Sequence, residues 1–169
     1  MALPAHAMAP EAPAFPGYAV TLTAYNAVAA QTDSDPLVTA SGAYSNPEVV
    51  AARSRDLAAD LPFGTIIEID GVNASKESCG YDIVSPIIGY RVIADTMNAR
   101  YTDRIDILFS MESNYTLGNG KVKNAGQVLG ICNGITVRVV GYVDINRIPK
   151  TQAGLAALVR GGTGALALK

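Results

Sequence analysis

Asp95 and Asp106 lie eleven positions apart in Ile93-Ala-Asp-Thr-Met-Asn-Ala-Arg-Tyr-Thr-Asp-Arg-Ile-Asp-Ile-Leu-Phe109, each where a strand-like run meets a polar loop. That spacing suggests two carboxylates at one end of a β-barrel. A carboxyl half shielded by apolar neighbours is harder to ionise, so its pKa rises and it can serve as a general acid near neutral pH. The ordinary alternative is that both aspartates accept hydrogen bonds from turn amides, the common role of a loop aspartate. Arg100 and Arg104 stand close by in sequence. Their forked donors could hold a carboxylate ionised, grip an anionic ligand, or simply be solvated rim charges. Asp103 reads most simply as a turn residue.

The elements that would position these residues are strands. Tyr18–Tyr25 alternates β-branched and aromatic residues with small ones and ends at the Asp- and Ser-rich stretch 31–36. Val49–Ala52 is a second short strand, followed by a helical turn over 54–60 with Ser54 as cap. Thr65–Asp70 is a third, with Ile67 and Ile69 on one face. Gly89–Asp95, Arg104–Phe109 and Ile135–Val143 complete six. In the fifth, Ile105, Ile107 and Phe109 share one face and Asp106 falls on the other, away from the main core. Alternation in the fourth puts Ile93 and Asp95 on a common face. Residues 71–86 read as a loop insertion. Six short strands with Gly- and Pro-marked turns predict an all-β fold: a small closed barrel with short helical turns and flexible termini.

A chain of 169 residues supports one domain with a real core. We expect a tether at 1–16, which holds four of the nine prolines, a barrel domain at 17–146 and a flexible tail at 147–169. Apolar residues make up 49% and charged residues 17%, a globular rather than disordered balance. With a net charge of -2 and no Lys/Arg cluster, nucleic-acid binding through phosphate contacts is not expected. No apolar run reaches the length of a membrane span, and a monomer is expected. Ala5-His6-Ala7 has the small-x-small form of an export cleavage site, and a plain disordered tail reads equally well.

The barrel region holds no histidine, so Ser-His-Asp and Cys-His arrangements fail, and no glycine-rich phosphate loop occurs. Two cysteines, Cys79 and Cys132, are too few for a zinc site, and no metal or other cofactor is expected. In an exported protein they would bridge, tying the loop insertion to the start of the last strand. In a cytosolic one they would be buried thiols. There is no Trp, and Tyr25, Tyr44, Tyr101 and Tyr115 are either core or sugar-facing rim.

Thr23-Ala-Tyr25, Thr39-Ala-Ser-Gly42, Val49-Val-Ala-Ala-Arg-Ser-Arg-Asp56, Leu61-Pro-Phe-Gly-Thr65, Ala94-Asp-Thr96 and Arg104-Ile-Asp-Ile-Leu-Phe109 occur in that order. Together they resemble the three-aspartate (3D) domain, a family that shares a double-psi β-barrel with membrane-bound lytic transglycosylase A and is related to rare lipoprotein A. The resemblance spans about Tyr18 to Val143. It implies that the three aspartates are Asp56, Asp95 and Asp106, with Asp106 as the proton donor, Asp95 tuning it or orienting sugar, and Asp56 bracing the loop. It further implies an extracytoplasmic enzyme acting on peptidoglycan glycan strands, with Thr39, Thr96, Arg100, Tyr101 and Arg104 near the substrate. A glycan-binding barrel that does not cut is the alternative. Family members often read Asp-Thr-Gly-Gly-Ala-Ile-Lys-Gly before the last aspartate. Here Met97 and Asn98 replace the glycines and Tyr101 stands where the lysine would be, leaving Arg100 or Arg104 to supply the charge. Asp95-Thr-Met97 also resembles half of an aspartic-protease site, which with its single copy would need a symmetric dimer.

Overall fold

A computed structural model describes residues 15–32 and 35–162. The expected tether at 1–16, with its Ala5-His6-Ala7 stub, lies outside the described residues apart from Phe15 and Pro16. The chain forms strands β1 (Gly17–Asn26), β2 (Val50–Arg53), β3 (Thr65–Asp70), β4 (Arg91–Thr96), β5 (Arg104–Phe109), β6 (Asn114–Thr116), β7 (Val122–Asn124) and β8 (Cys132–Tyr142). Helices α1 (Tyr81–Ile88), α2 (Ala125–Leu129) and α3 (Gln152–Arg160) join them, with single 3-10 turns at Arg55–Ala58 and Ile145–Arg147.

Six of the strands close into a barrel in the order β1-β5-β2-β4-β3-β8, and β6 and β7 form a separate hairpin. Two neighbouring pairs, β1 with β5 and β2 with β4, run parallel; the others are antiparallel. Parallel neighbours cannot be joined by a tight turn, so long connections must cross the molecule between them. These crossings carry the site. Gly64 makes one possible: its φ is +93°, and a Cβ there would collide with the Val143 carbonyl that it packs against.

Period-two alternation divides the strands between two apolar clusters. Leu22, Ala51, Ile67, Ile93, Ile105, Ile107, Ile135 and Val137 fill the barrel, sealed by Leu57 and Leu61 and by Ile88 and Leu129 from the helices. Val50, Ala52, Ile66, Val92, Ala94 and Leu108 point outward and pack with Tyr25, Met97, Val143 and Leu155. Arg91 is 1% exposed yet has no acidic partner. Its guanidinium donates to the carbonyls of Ile88, Pro47, Val50, Leu108 and Ile87, which satisfy its donors in place of water. Burial lowers its pKa to about 10, so it remains charged at neutral pH.

Several expectations are corrected. Residues 71–86 are not merely a loop: Tyr81–Ile88 is a full helix that buries Val84 and Ile88 in the barrel core, with the Tyr81 hydroxyl donating to the Ile69 carbonyl at 2.9 Å. Nor is 147–169 simply a flexible tail. Gln152–Arg160 is helical, its first turn capped by the Thr151 hydroxyl accepting from the Gly154 amide, and Leu155 is fully buried. Gln152 ties this helix back through bonds with the Tyr90 and Glu48 backbone. Residues 163–169 of that tail lie outside the described residues. Ser54 precedes its 3-10 turn but makes no side-chain cap; its hydroxyl accepts instead from the Arg104 amide at 3.0 Å. Cys79 and Cys132 are bridged, which fixes the segment before α1 to the first residue of β8.

Candidate active site

The strand register lines up one row of residues across four strands. Thr23 of β1 stands opposite Asp106 of β5, Asp106 opposite Ala52 of β2, and Ala52 opposite Asp95 of β4. Two strand spacings separate the aspartates, so their backbones are about 10 Å apart. Ala52 between them is small enough to leave the space open.

A β-bulge sets this row. The β2–β4 register runs Ala51 opposite Ile93, then Ala52 opposite Asp95, skipping Ala94. Without the skip, Asp95 would follow Ile93 to the inward face, as plain alternation predicts. With it, Ile93 is fully buried in the barrel and Asp95 faces the same cleft as Asp106. The aspartates therefore stand on the outer wall of the barrel rather than in its mouth.

The cleft has a volume of about 680 Å³. Its floor is Asp106, Ala52 and Asp95 of that row with Tyr25; one side is the crossover after β1, including Gln31 and Ala40, and the other is the segment Thr96–Tyr101. Asp106 receives a 2.8 Å hydrogen bond from the Thr23 hydroxyl on Oδ1. Burial pushes its pKa up to about 6, with the Asp95 charge adding to the rise, while the Thr23 bond and the Arg104 charge oppose it. Asp106 is thus a desolvated carboxyl with Oδ2 left to carry a proton.

Asp95 is bound differently. Its Oδ1 accepts from the amides of Ala40 and Thr96, each at 2.9 Å, and its Oδ2 from the Tyr25 hydroxyl at 2.8 Å. Three donors from three segments fix its orientation. The Tyr25 phenol is buried, and desolvation together with the neighbouring Asp95 and Asp106 raises its pKa, so it stays protonated and remains a donor.

The remaining expected site residues divide into two groups. Thr96, Arg100 and Tyr101 line the cleft with the aspartates. Thr96 also receives a 2.7 Å bond from the buried Arg53, which stacks on Phe63 and donates to the Leu61 carbonyl. Arg104 lies against the Tyr101 ring, 4.7 Å from its centroid, and its Nε is buried with no hydrogen-bond partner. Arg104, Thr39 and Asp56 are outside the cleft lining. Thr39 is buried and closes the turn that presents the Ala40 amide to Asp95, its hydroxyl donating to the Ala43 carbonyl at 3.1 Å. Asp56 is exposed and accepts from the Asp103 amide at 2.9 Å, bracing a non-glycine residue held at φ +49°. Hydrogen bonds, first from Ser54 and then from Asp103, keep its carboxyl below the usual range.

Arg55 on the rim was not singled out beforehand, nor were the donor roles of Thr23, behind Asp106, and of Tyr25, which was expected as core or sugar-facing rim. Thr23 and Tyr25 share alternate positions of β1, but only the parallel β1–β5 pairing brings Thr23 to Asp106 and places Tyr25 to reach Asp95, and nothing in local alternation reveals that pairing. Among the described residues, no group of three or more His, Cys, Asp or Glu side chains is placed to hold a metal ion, and no helix is long and apolar enough to cross a membrane. No protein-family model matches the chain, and the comparison with curated proteins finds no match. Fold and site together define a β-rich barrel protein with a carboxyl-bearing cleft on its outer wall.

Proposed function

We propose that this protein cleaves glycan as a lytic transglycosylase-like enzyme, built on a double-psi β-barrel of the three-aspartate type and acting outside the cytoplasm on the MurNAc-GlcNAc bond of peptidoglycan. The observation that carries the reading is Asp106: a half-buried carboxyl at the floor of an open cleft, with a pKa raised to about 6 and, among the described residues, one oxygen without a protein donor. The two parallel strand pairs of the closed barrel support the double-psi assignment. The Cys79–Cys132 bridge supports an oxidising compartment.

Protonated Asp106 gives its proton to the glycosidic oxygen as the bond to the muramyl C1 breaks. The muramyl 6-hydroxyl then attacks C1, and the Asp106 carboxylate takes the hydroxyl proton, returning to its starting form. One carboxyl suffices because the nucleophile is part of the substrate and already close to the reacting carbon. Hydrolysis would ordinarily use a second carboxyl as base or nucleophile. Asp95, with both oxygens engaged, suits orientation of the sugar and adjustment of Asp106 better than attack.

Incubation of peptidoglycan sacculi with the protein tests this, with products read by mass spectrometry. Release of 1,6-anhydro-muropeptides is the expected result. A protein that sediments with sacculi and releases nothing is a glycan-binding barrel instead.

A further inference from the structure

Two arginines, Arg100 and Arg104, share the Tyr101 ring at one edge of the cleft, and Arg55 is a third arginine in the cleft lining. Arg100 lies 4.8 Å from the centroid of the Tyr101 ring and donates to its hydroxyl at 2.8 Å. Arg104 lies 4.7 Å from the same centroid. Arg55 and Arg100 both line the cleft, as does Tyr101. Among the described residues none of the three forms an ion pair, whereas Arg138 is tied to both Glu68 and Asp70. The Arg104 Nε is the buried side-chain donor that lacks a partner. Of the acidic groups facing this edge, Asp106 feels the Arg104 charge without forming an ion pair with it, and two others are occupied elsewhere. Asp56 is engaged with Ser54 and the Asp103 amide, and Asp95 with Tyr25 and two backbone amides.

Holding two guanidiniums on one ring brings like charges together, at a cost that an anion beside them would offset. Contact with the Tyr101 ring restricts both arginine side chains before any ligand arrives. A pre-formed pair of planar, forked donors suits the two oxygens of a carboxylate.

We propose that Arg100 and Arg104 on Tyr101, with Arg55 on the rim, form an anion subsite that takes a carboxylate carried by the glycan. The inference rests on the reading of the cleft as a glycan site, and it deepens that reading by assigning the groups that recognise the acidic part of the glycan. In peptidoglycan the carboxylate has two alternative sources: the lactyl group of a muramyl residue without a stem, or the peptide stem, whose attachment turns the lactyl carboxyl into an amide.

The test measures binding by calorimetry to the full chain carrying Asp106→Asn, so that nothing is cut. Three tetrasaccharides of equal length are compared: neutral chitotetraose, one with free lactyl carboxylates, and one with peptide stems. At least one acidic ligand is expected to bind about tenfold tighter than the neutral one, and to lose most of that advantage as salt rises from low to about 0.5 M. Whichever acidic ligand binds tighter identifies the source. Adding Arg100→Gln, on the exposed loop, or Arg104→Gln should remove most of the acidic ligand's advantage over the neutral one. Equal affinities, no binding of any ligand, or insensitivity to both arginine changes overturns the subsite. A chain that shows the acidic preference while the unmutated protein releases no anhydro products loses the catalytic reading and keeps the subsite.

Discussion

The Tyr25 hydroxyl donates to Oδ2 of Asp95 across a distance of 2.8 Å, although seventy residues separate them in the chain. This bond joins β1 to β4, which are not neighbours in the barrel, through the space above Ala52. It completes the three-donor shell of Asp95 and leaves Asp106 as the carboxyl with a free oxygen.

Tyr25→Phe removes that donor while keeping the ring in its apolar packing. An acceptor left without its partner in a half-buried site costs about 1–2 kcal/mol, which urea denaturation would read. Cleavage should slow by about tenfold through loss of sugar orientation, with the pH profile in place, since Asp106 keeps its own Thr23 bond. A shifted profile would show that Tyr25 acts on the proton itself.

Asp106 burdens the fold at neutral pH. Its folded pKa of about 6 exceeds the model-peptide 3.8, so its favourable contribution is fully present below about 3.8 and is lost as pH rises through about 6. The difference corresponds to about 3 kcal/mol at most. Asp106→Asn should therefore be more stable than the unmutated chain at pH 7.5, with the gap closing by pH 4. Denaturant midpoints at the two pH values check this; equal midpoints at pH 7.5 would mean that Asp106 is not desolvated.

Asp56 is a brace, and its removal should behave like one. Asp56→Ala frees the Asp103 amide and loosens the segment that leads into β5. Turnover should fall several-fold, far less than for Asp106→Asn, and Asp103→Gly, which relieves the positive φ, should partly restore it in the double variant. A loss as large as that of Asp106→Asn would place Asp56 in the chemistry.

The Cys79–Cys132 bridge closes a sequence separation of 53 residues. Constraint of a loop that long is worth about 2–4 kcal/mol of stability. Replacing both cysteines with serine, or reducing the bridge, should lower the denaturation midpoint accordingly while leaving the cleft, which neither residue lines, able to bind.

The strands were legible wherever one face is buried. Thr65–Asp70 and Arg104–Phe109 match the observed boundaries, because their alternating isoleucines carry a clean period of two. Where composition imitated something else, the reading failed. Tyr81–Ile88 carries Pro86 and is flanked by glycines, so it resembled a loop; Gln152–Arg160 is Ala- and Gly-rich and resembled a tail until Leu155 found its pocket. The site was half legible. Asp95 and Asp106 could be singled out as loop-edge carboxyls, but the bulge that turns Asp95 outward and the parallel pairing that delivers Thr23 are tertiary facts. So is Arg91, whose buried charge depends on carbonyls contributed by several distant segments.

The most direct test of the account compares the unmutated protein with Asp106→Asn on purified sacculi across pH 4.5 to about 8, with soluble products identified by mass spectrometry. The account predicts 1,6-anhydro-muropeptides from the unmutated protein alone, at a rate that falls as pH rises through about 6, where Asp106 gives up the proton it must donate. Anhydro products released equally by the Asp106→Asn protein, reducing ends in their place, or no release by either would contradict it.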